Sequence, residues 1–565
     1  MKIERIDDLG VLSSILSELR IGELIDTHFK THGNRHGISL GSLGSLFLLY
    51  ALSVGDHRLS HIEDWSAERE RVLGHLLGEK SFCSKDCTDD RLGTLLDYLS
   101  DDVAYRSFED AFNGHIVSVY DLMPTAPDSA LTEVHLDATI AQTYGDASAL
   151  LSMGYAKHRR PDLVQTKIML STLSPLGMPL CVEVVNGASA DDGLYVPMVE
   201  RVHTTLQTTG LLFVGDSKMG SIATRSHIAA KNHYYLCPMS RVQCSLSVLK
   251  SLLTPENCQQ TVLLNDVNIP AFESTQTMTN GDTTWAERRI VAFSSTFAQS
   301  QIAHFNTKLN TAETELSDIL TVKQGKTPLK TLAEVEAHIH AILKKYHATE
   351  FVSTQIHTQT TETSIRKYGN RPAKIVTETT FSLTFARNTT AIDAHIATLG
   401  WRMYATNAPA NRLSTAAALQ AYKDEYQVEK RFNDLHHKIA PLMPIFLHKD
   451  NRIIALTRLL CIAIKVLAIV EFKARKVLAD ENQTINNIYP GNPARKTAQP
   501  TAQMLLRALR NIALVIIYKD NQIIHCQVSE LSPIQQRICA IIGVNTQTYA
   551  DIAQFFKSNP QISET

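Results

Sequence analysis

The order of apolar runs between residues 126 and 240 leaves few architectures open. Three extended runs come first, ending at Asp137 and then covering Val164 to Leu173 and Pro179 to Val185, with Gly177 placed for a turn. A helical pattern over Tyr195 to Leu206, a strand over Leu211 to Gly215, a helix over Ser221 to Lys231 and a strand over Tyr234 to Cys237 follow. Hairpin strands succeeded by alternating helix and strand predict an α/β fold, a mixed sheet flanked by helices, because parallel neighbours need crossovers that cover the sheet. Functional groups in such sheets collect at strand ends. Two carboxylates fall there, Asp137 in Val134-His135-Leu136-Asp137-Ala138-Thr139 and Asp216 after Leu211–Gly215.

The flanking segments differ in character. Residues 1–125 read as a helical domain, with Leu9, Leu12, Ile15, Leu16 and Leu19 at helical spacing and a cation-rich turn from His28 to His36. Residues 241–395 interrupt the sheet domain with a strand near Arg288 to Ser294, two amphipathic helices separated by Gly325 and Pro328, and Thr-rich alternating runs. The sheet domain resumes over 396–480, and 481–565 form a tail domain behind a polar linker. The most apolar run, Leu459 to Phe472, is interrupted by Lys465 and Glu471, which predicts a buried helix rather than a membrane span. No apolar signal core follows Met1, and nine cysteines in 565 residues form no disulfide framework, so a cytoplasmic setting is expected. A net charge of −2 weighs against a protein that coats nucleic acid nonspecifically, while leaving local basic surfaces open.

A third carboxylate stands out between Ser414 and His437, a stretch with a good N-cap and neither Gly nor Pro. As one continuous helix, at ~100° per residue, it gathers Ala418, Tyr422, Glu425, Tyr426, Glu429 and His436 on one side. Lys423, Asp424, Lys430, Arg431 and Asp434 then face solvent, and Glu429 points inward. Three carboxylates from separate elements can hold two hard divalent cations, which activate the attacking oxygen and steady the leaving oxygen of a phosphodiester.

Four stretches resemble motifs of one family. Gly154-Tyr155-Ala156-Lys157-His158-Arg159-Arg160-Pro161-Asp162-Leu163 is similar to a Gly-x-Ser-Lys-x-x-Arg-Pro-Asp-Leu motif, and the strand holding Asp137 to an Asp-x-Thr motif. Val214-Gly215-Asp216-Ser217-Lys218-Met219 looks like the second-Asp motif, and a Tyr-x2-Arg-x3-Glu-x6-Lys signature aligns on Tyr422, Glu425, Glu429 and His436. Together they resemble insertion-sequence transposases of the Asp-Asp-Glu class, in the sixteen-thirty-four subgroup of the insertion sequence 4 superfamily. The resemblance implies an RNase H-like core, a mostly β insertion before the final Glu, and cleavage and joining of element ends in a prokaryotic cytoplasm. It implies two Mg²⁺ ions, with Mn²⁺ able to substitute, held by Asp137, Asp216 and Glu429. The partners it implies are double-stranded DNA, as terminal inverted repeats and target, and a second copy of the chain in the DNA complex.

By the same resemblance Tyr422 contacts a phosphate at the cut end. The chain departs from the signature at Glu425, where the family has Arg, and at His436, where it has Lys. Lys157, Arg159, Arg160 and Lys218 are the cations expected to make good the missing positive charge. Trp285, beside Arg288 and Arg289, is a candidate platform for an unstacked base, with burial as the competing reading. The departures also motivate two alternatives: a decayed or domesticated DNA-binding protein without chemistry, and a nuclease that cuts without joining.

Overall fold

Val164–Leu173 shows why the sheet sits where it does: all ten residues of this strand are buried, as a strand covered on both faces requires. The computed structural model describes residues 1–33, 35–123, 130–154, 160–321, 329–366, 369, 374–437, 441–520 and 522–558. Strands among them, in chain order, are β1 (Lys2–Arg5), β2 (Glu133–Thr143), β3 (Val164–Leu173), β4 (Met178–Asn186), β5 (Leu212–Gly215), β6 (Tyr234–Pro238), β7 (Thr261–Leu264), β8 (Val267–Asn280), β9 (Thr283–Phe293), β10 (Val352–Ile365), β11 (Lys374–Arg387), β12 (Trp401–Thr406), β13 (Ala513–Lys519) and β14 (Gln522–Val528).

Contacts divide the chain into two compact units, one of residues 1–238, 276–288 and 405–565, the other of 239–275 and 289–404. The helices of residues 1–125 and the tail after 481 both belong to the first unit. Within it, strands run in the order β4-β3-β2-β5-β6. β3 is antiparallel to β2 and β4, whereas β2, β5 and β6 are mutually parallel neighbours. Helices Asp192–Leu206 and Ile222–Ala230 supply the crossovers. This is the mixed sheet flanked by helices that the sequence predicts.

The helix Asp450–Asp480 is the core of the unit. By length and composition it could cross a membrane, yet 94% of its most apolar window is buried among its neighbours. Its one deeply buried lysine is matched: Lys465 Nζ donates to Asn113 Oδ1 at 2.7 Å and to the Leu180 carbonyl at 3.2 Å. A buried ion pair between Arg201 and Glu109, at 3.0 Å, joins helix Asp102–Tyr120 to helix Asp192–Leu206. A small sheet β1-β13-β14 joins the first residues to the tail, with Lys2 opposite Ile516 and Arg5 opposite Ala513.

At the start of β6 a buried histidine carries a consequence for acid stability. The Leu211 N–H donates to His233 Nδ1 at 3.3 Å, and His233 Nε2 lies 3.0 Å from His203 Nδ1, which is also 3.2 Å from the Thr208 carbonyl. Burial, then the His203 ring, pushes the His233 pKa down to about 4. The unfolded chain protonates this ring near ~6.5, so the stability it contributes is complete above that pH and is lost as pH falls towards 4. A His233→Gln variant is expected to lose less stability than the parent between pH 7 and pH 5, as checked by urea unfolding of the protein at the two pH values.

In the second unit, helices Ser295–Asp318 and Leu332–Lys345 pack through Leu309, Ala312, Leu316, Val335, Ile339 and Leu343. Thr331 and Glu334 form a reciprocal cap that starts the second helix. β10 and β11 make an antiparallel ribbon with Val352 opposite Arg387 and Ile365 opposite Lys374.

Candidate active site

Register places the two aspartates. β2 and β5 pair in parallel with Leu136 opposite Gly215, so Asp137 and Asp216 are the next residues on adjacent strands. Neighbouring strands lie ~4.8 Å apart, which sets the two carboxylates side by side; β2 does not end at Asp137, as the sequence suggests, but runs on to Thr143 because β3 pairs with it over that length, whereas β5 stops at Gly215. Leu136 and Gly215 are buried and the aspartates half-buried.

Each acid is held. Asp137 Oδ1 accepts the Ala138 N–H at 2.7 Å. Asp216 Oδ1 accepts the Tyr195 hydroxyl at 2.7 Å and the Lys218 N–H at 2.8 Å, and among the described residues both bonds fall on that one oxygen. Burial, followed by the charges of Asp216 and Asp137, drives the Tyr195 pKa well above its usual range, which keeps the hydroxyl a donor. Nothing in the sequence marks Tyr195 beyond its place at the start of a helix, because a tyrosine on an apolar helix carries no signal of the carboxylate it meets.

The 414–437 stretch departs from the continuous helix expected of it. Ser414 caps a helix Thr415–Lys423, the chain turns at Asp424 and Glu425, and a second helix runs Tyr426–His437. The turn resets the phase, so a single wheel drawn across it misplaces Glu429, Arg431 and Asp434, although His436 is buried as that wheel expects. Glu429 is exposed rather than inward-facing, alongside Tyr426, which is 60% exposed. The supposed solvent side is the packed one: Arg431 and Asp434 are buried and Lys430 is half-buried. Arg431 Nε donates to the Gly177 carbonyl at 2.7 Å and Nη2 to the Leu176 carbonyl at 2.9 Å, with Asp434 and Glu471 each at 3.2 Å.

Glu425, at the turn, is the carboxylate that faces the aspartates. Burial, together with the charges of Asp137, Asp216 and Glu429, pushes its pKa up to about 7, and a hydrogen bond from Tyr422 opposes the rise. His436 is buried, with Nε2 3.2 Å from the hydroxyl of Thr139, two residues along β2 from Asp137. The second helix thus lies over the strand that carries the first aspartate.

The expected cations divide. Lys157 and Arg159 lie outside the described residues. Arg160 is exposed and committed to Asp162 at 2.6 and 2.8 Å, which holds the Asp162 carboxyl down to about 2. Lys218 is exposed beside Asp216. Trp285 is not an open platform: it is 9% exposed and its indole N–H donates to the Tyr235 hydroxyl at 2.8 Å inside the first unit. That hydroxyl in turn donates to Glu287 at 2.6 Å, and Arg288 is spent on the Ala408 and Leu413 carbonyls at 3.0 and 2.7 Å.

The donor set suits a hard cation. Among the described residues no three His, Cys, Asp or Glu side chains converge as the ligands of one ion. Mg²⁺, however, takes one or two carboxylates and completes its shell with water and substrate phosphate, and an adjacent aspartate pair meets that demand.

A family described as a domain of unknown function, DUF4277, matches residues 1–110. No curated protein matches. Among solved structures, a piggyBac transposase synaptic complex with hairpin DNA is similar over 100% of this chain and 88% of that one, at 9% identity and a TM-score of 0.35.

Proposed function

We propose that the chain is a DNA transposase of the Asp-Asp-Glu class, which cleaves the ends of its own element and joins them to target DNA as a dimer bound to both ends. The observation that carries the reading is the register of the parallel pair β2 and β5, which sets Asp137, inside β2, beside Asp216, the residue that follows β5. The order β4-β3-β2-β5-β6 with only β3 antiparallel to its neighbours supports it further, because an RNase H-like core has that connectivity. The four sequence motifs place Asp137 and Asp216 at the family's two aspartates and Glu429 at its glutamate.

Asp137, Asp216 and Glu429 are the residues that would hold two Mg²⁺ ions, with Mn²⁺ as substitute. When bound, the ions activate the attacking oxygen and stabilise the leaving one. The chain's own part is positional. Tyr195 and the Lys218 N–H hold Asp216 through Oδ1. Exposed Lys218 is the cation beside Asp216 that can meet a backbone phosphate, and His436 lies against Thr139, two residues along β2 from Asp137. Exposure of Glu429 leaves it open to a ligand arriving with DNA.

The test is a cleavage assay on oligonucleotides carrying the inverted repeats that flank the gene. Nicking at the repeat end with Mg²⁺ or Mn²⁺, and none with EDTA, is expected, followed by insertion into a plasmid. Cutting without insertion indicates a nuclease. Salt-sensitive binding without cutting under either ion indicates a DNA-binding protein that has lost its chemistry.

A further inference from the structure

The turn after β5 carries Asp216 and Lys218, and it is held from behind. Within the turn the Met219 N–H donates to the Asp216 carbonyl at 3.1 Å and the Gly220 N–H to the Ser217 carbonyl at 3.3 Å. Met219 is buried and folds back on Gly215, where an added Cβ would lie 3.0 Å from its Sδ. Gly220 is buried as well, and its carbonyl precedes Ser221, the N-cap of helix Ile222–Ala230, so the helical ladder does not reach it. Arg225, buried one turn into that helix, supplies a donor: its Nε bonds to the Gly220 carbonyl at 3.1 Å. Its Nη1 pairs with Glu287, which is fully buried and also accepts the Tyr235 hydroxyl at 2.6 Å. Glu287 comes from β9, in the stretch 276–288 that belongs to the first unit although the chain on either side of it belongs to the second or turns back towards it. A planar guanidinium fixed at one prong by a carboxylate has its other donor aimed, which the single ammonium of a lysine cannot reproduce.

We propose that Arg225, oriented by Glu287, is a positioning residue for the active site: it anchors the turn after β5 and through that turn sets the Asp216 carboxylate and the Lys218 side chain. The inference rests on the reading of Asp216 as catalytic and deepens it, adding two buried residues that act through the backbone. It also gives the segment 276–288 a task in the first unit beyond packing.

The test uses the full-length protein and two variants. Arg225→Lys keeps a buried cation for Glu287 and gives up the fork that also reaches Gly220. Arg225→Met combined with Glu287→Gln removes the donor and both charges at once, so that neither charge is left buried alone. Both are expected to cut end oligonucleotides ~10–100-fold more slowly at saturating Mg²⁺, the scale on which a misplacement of about 1 Å acts, with the Kd for the oligonucleotide unchanged. Hydrogen exchange without DNA reads the turn independently of activity: the Met219 and Gly220 amides are expected to exchange at least ~10-fold faster than in the parent, and those of β5 at the parent's rate. Cleavage by both variants within a few-fold of the parent, or unchanged exchange at Met219 and Gly220, overturns the proposal. So does exchange that rises equally across β5, which marks a general loss of fold. Faster exchange confined to the turn, in variants of a parent that cuts no DNA, keeps Arg225 as the anchor and overturns the transposase reading instead.

Discussion

With Asp137 or Asp216 changed to Asn, end cleavage is expected to fall at least ~10³-fold, about 4 kcal/mol of transition-state stabilisation, while binding of the same oligonucleotide persists. Asn keeps the size and one carbonyl oxygen, so β2 and the turn after β5 survive. At Asp216 the Tyr195 hydroxyl and the Lys218 N–H still find an acceptor. What is removed is the charge that a pair of divalent cations needs at that point. Single-turnover cleavage beside a gel-shift titration separates the two effects. Cleavage by both variants within a few-fold of the parent would remove Asp137 and Asp216 from the chemistry, and with them the reading built on their register.

Arg431→Ala is expected to cost the first unit ~3–5 kcal/mol, the usual penalty for breaking a buried charge network from one side. The guanidinium ties the turn before β4 to the second helix of the 415–437 pair and to the long core helix, through Leu176, Gly177, Asp434 and Glu471. Removing it leaves two carbonyls unpaired and Asp434 without its closest cation. Lys430 at 2.6 Å and Arg475 at 3.4 Å still neutralise Glu471, which places the loss towards the lower end of the range. Urea unfolding followed by tryptophan fluorescence measures it. Arg431→Lys is expected to recover little, since a lysine cannot span two carbonyls and two carboxylates with one fork.

The sheet was legible because its strands are apolar runs bounded by turns. The β3 expected over Val164 to Leu173 is observed at those residues and Asp216 follows the end of β5 as anticipated, but the strand expected to end at Asp137 runs on to Thr143, so Asp137 lies inside it. The final acidic stretch was not legible in the same way. A helical wheel presumes an unbroken helix, and nothing in Lys423-Asp424-Glu425-Tyr426 lacks helix-forming capacity, so the turn there is imposed by packing on two pairs of strands. Counting charged residues as solvent-facing then inverted the second helix, because the groups that satisfy Arg431 come from residues 176, 177 and 471, far along the chain. Trp285 shows the converse: an aromatic between polar neighbours looks available until the tyrosine that takes its N–H is known.

The pairing of Lys2–Arg5 with Ala513–Ile516 bears on how the protein is made. At about 5–20 residues per second, the opening strand waits on the order of a minute before its partner leaves the ribosome. Until then the amino-terminal helices have an unpaired sheet edge beside them. A message cut short anywhere before the tail therefore yields an unfinished amino-terminal region, so nascent or truncated copies cannot reach the architecture that full-length molecules share.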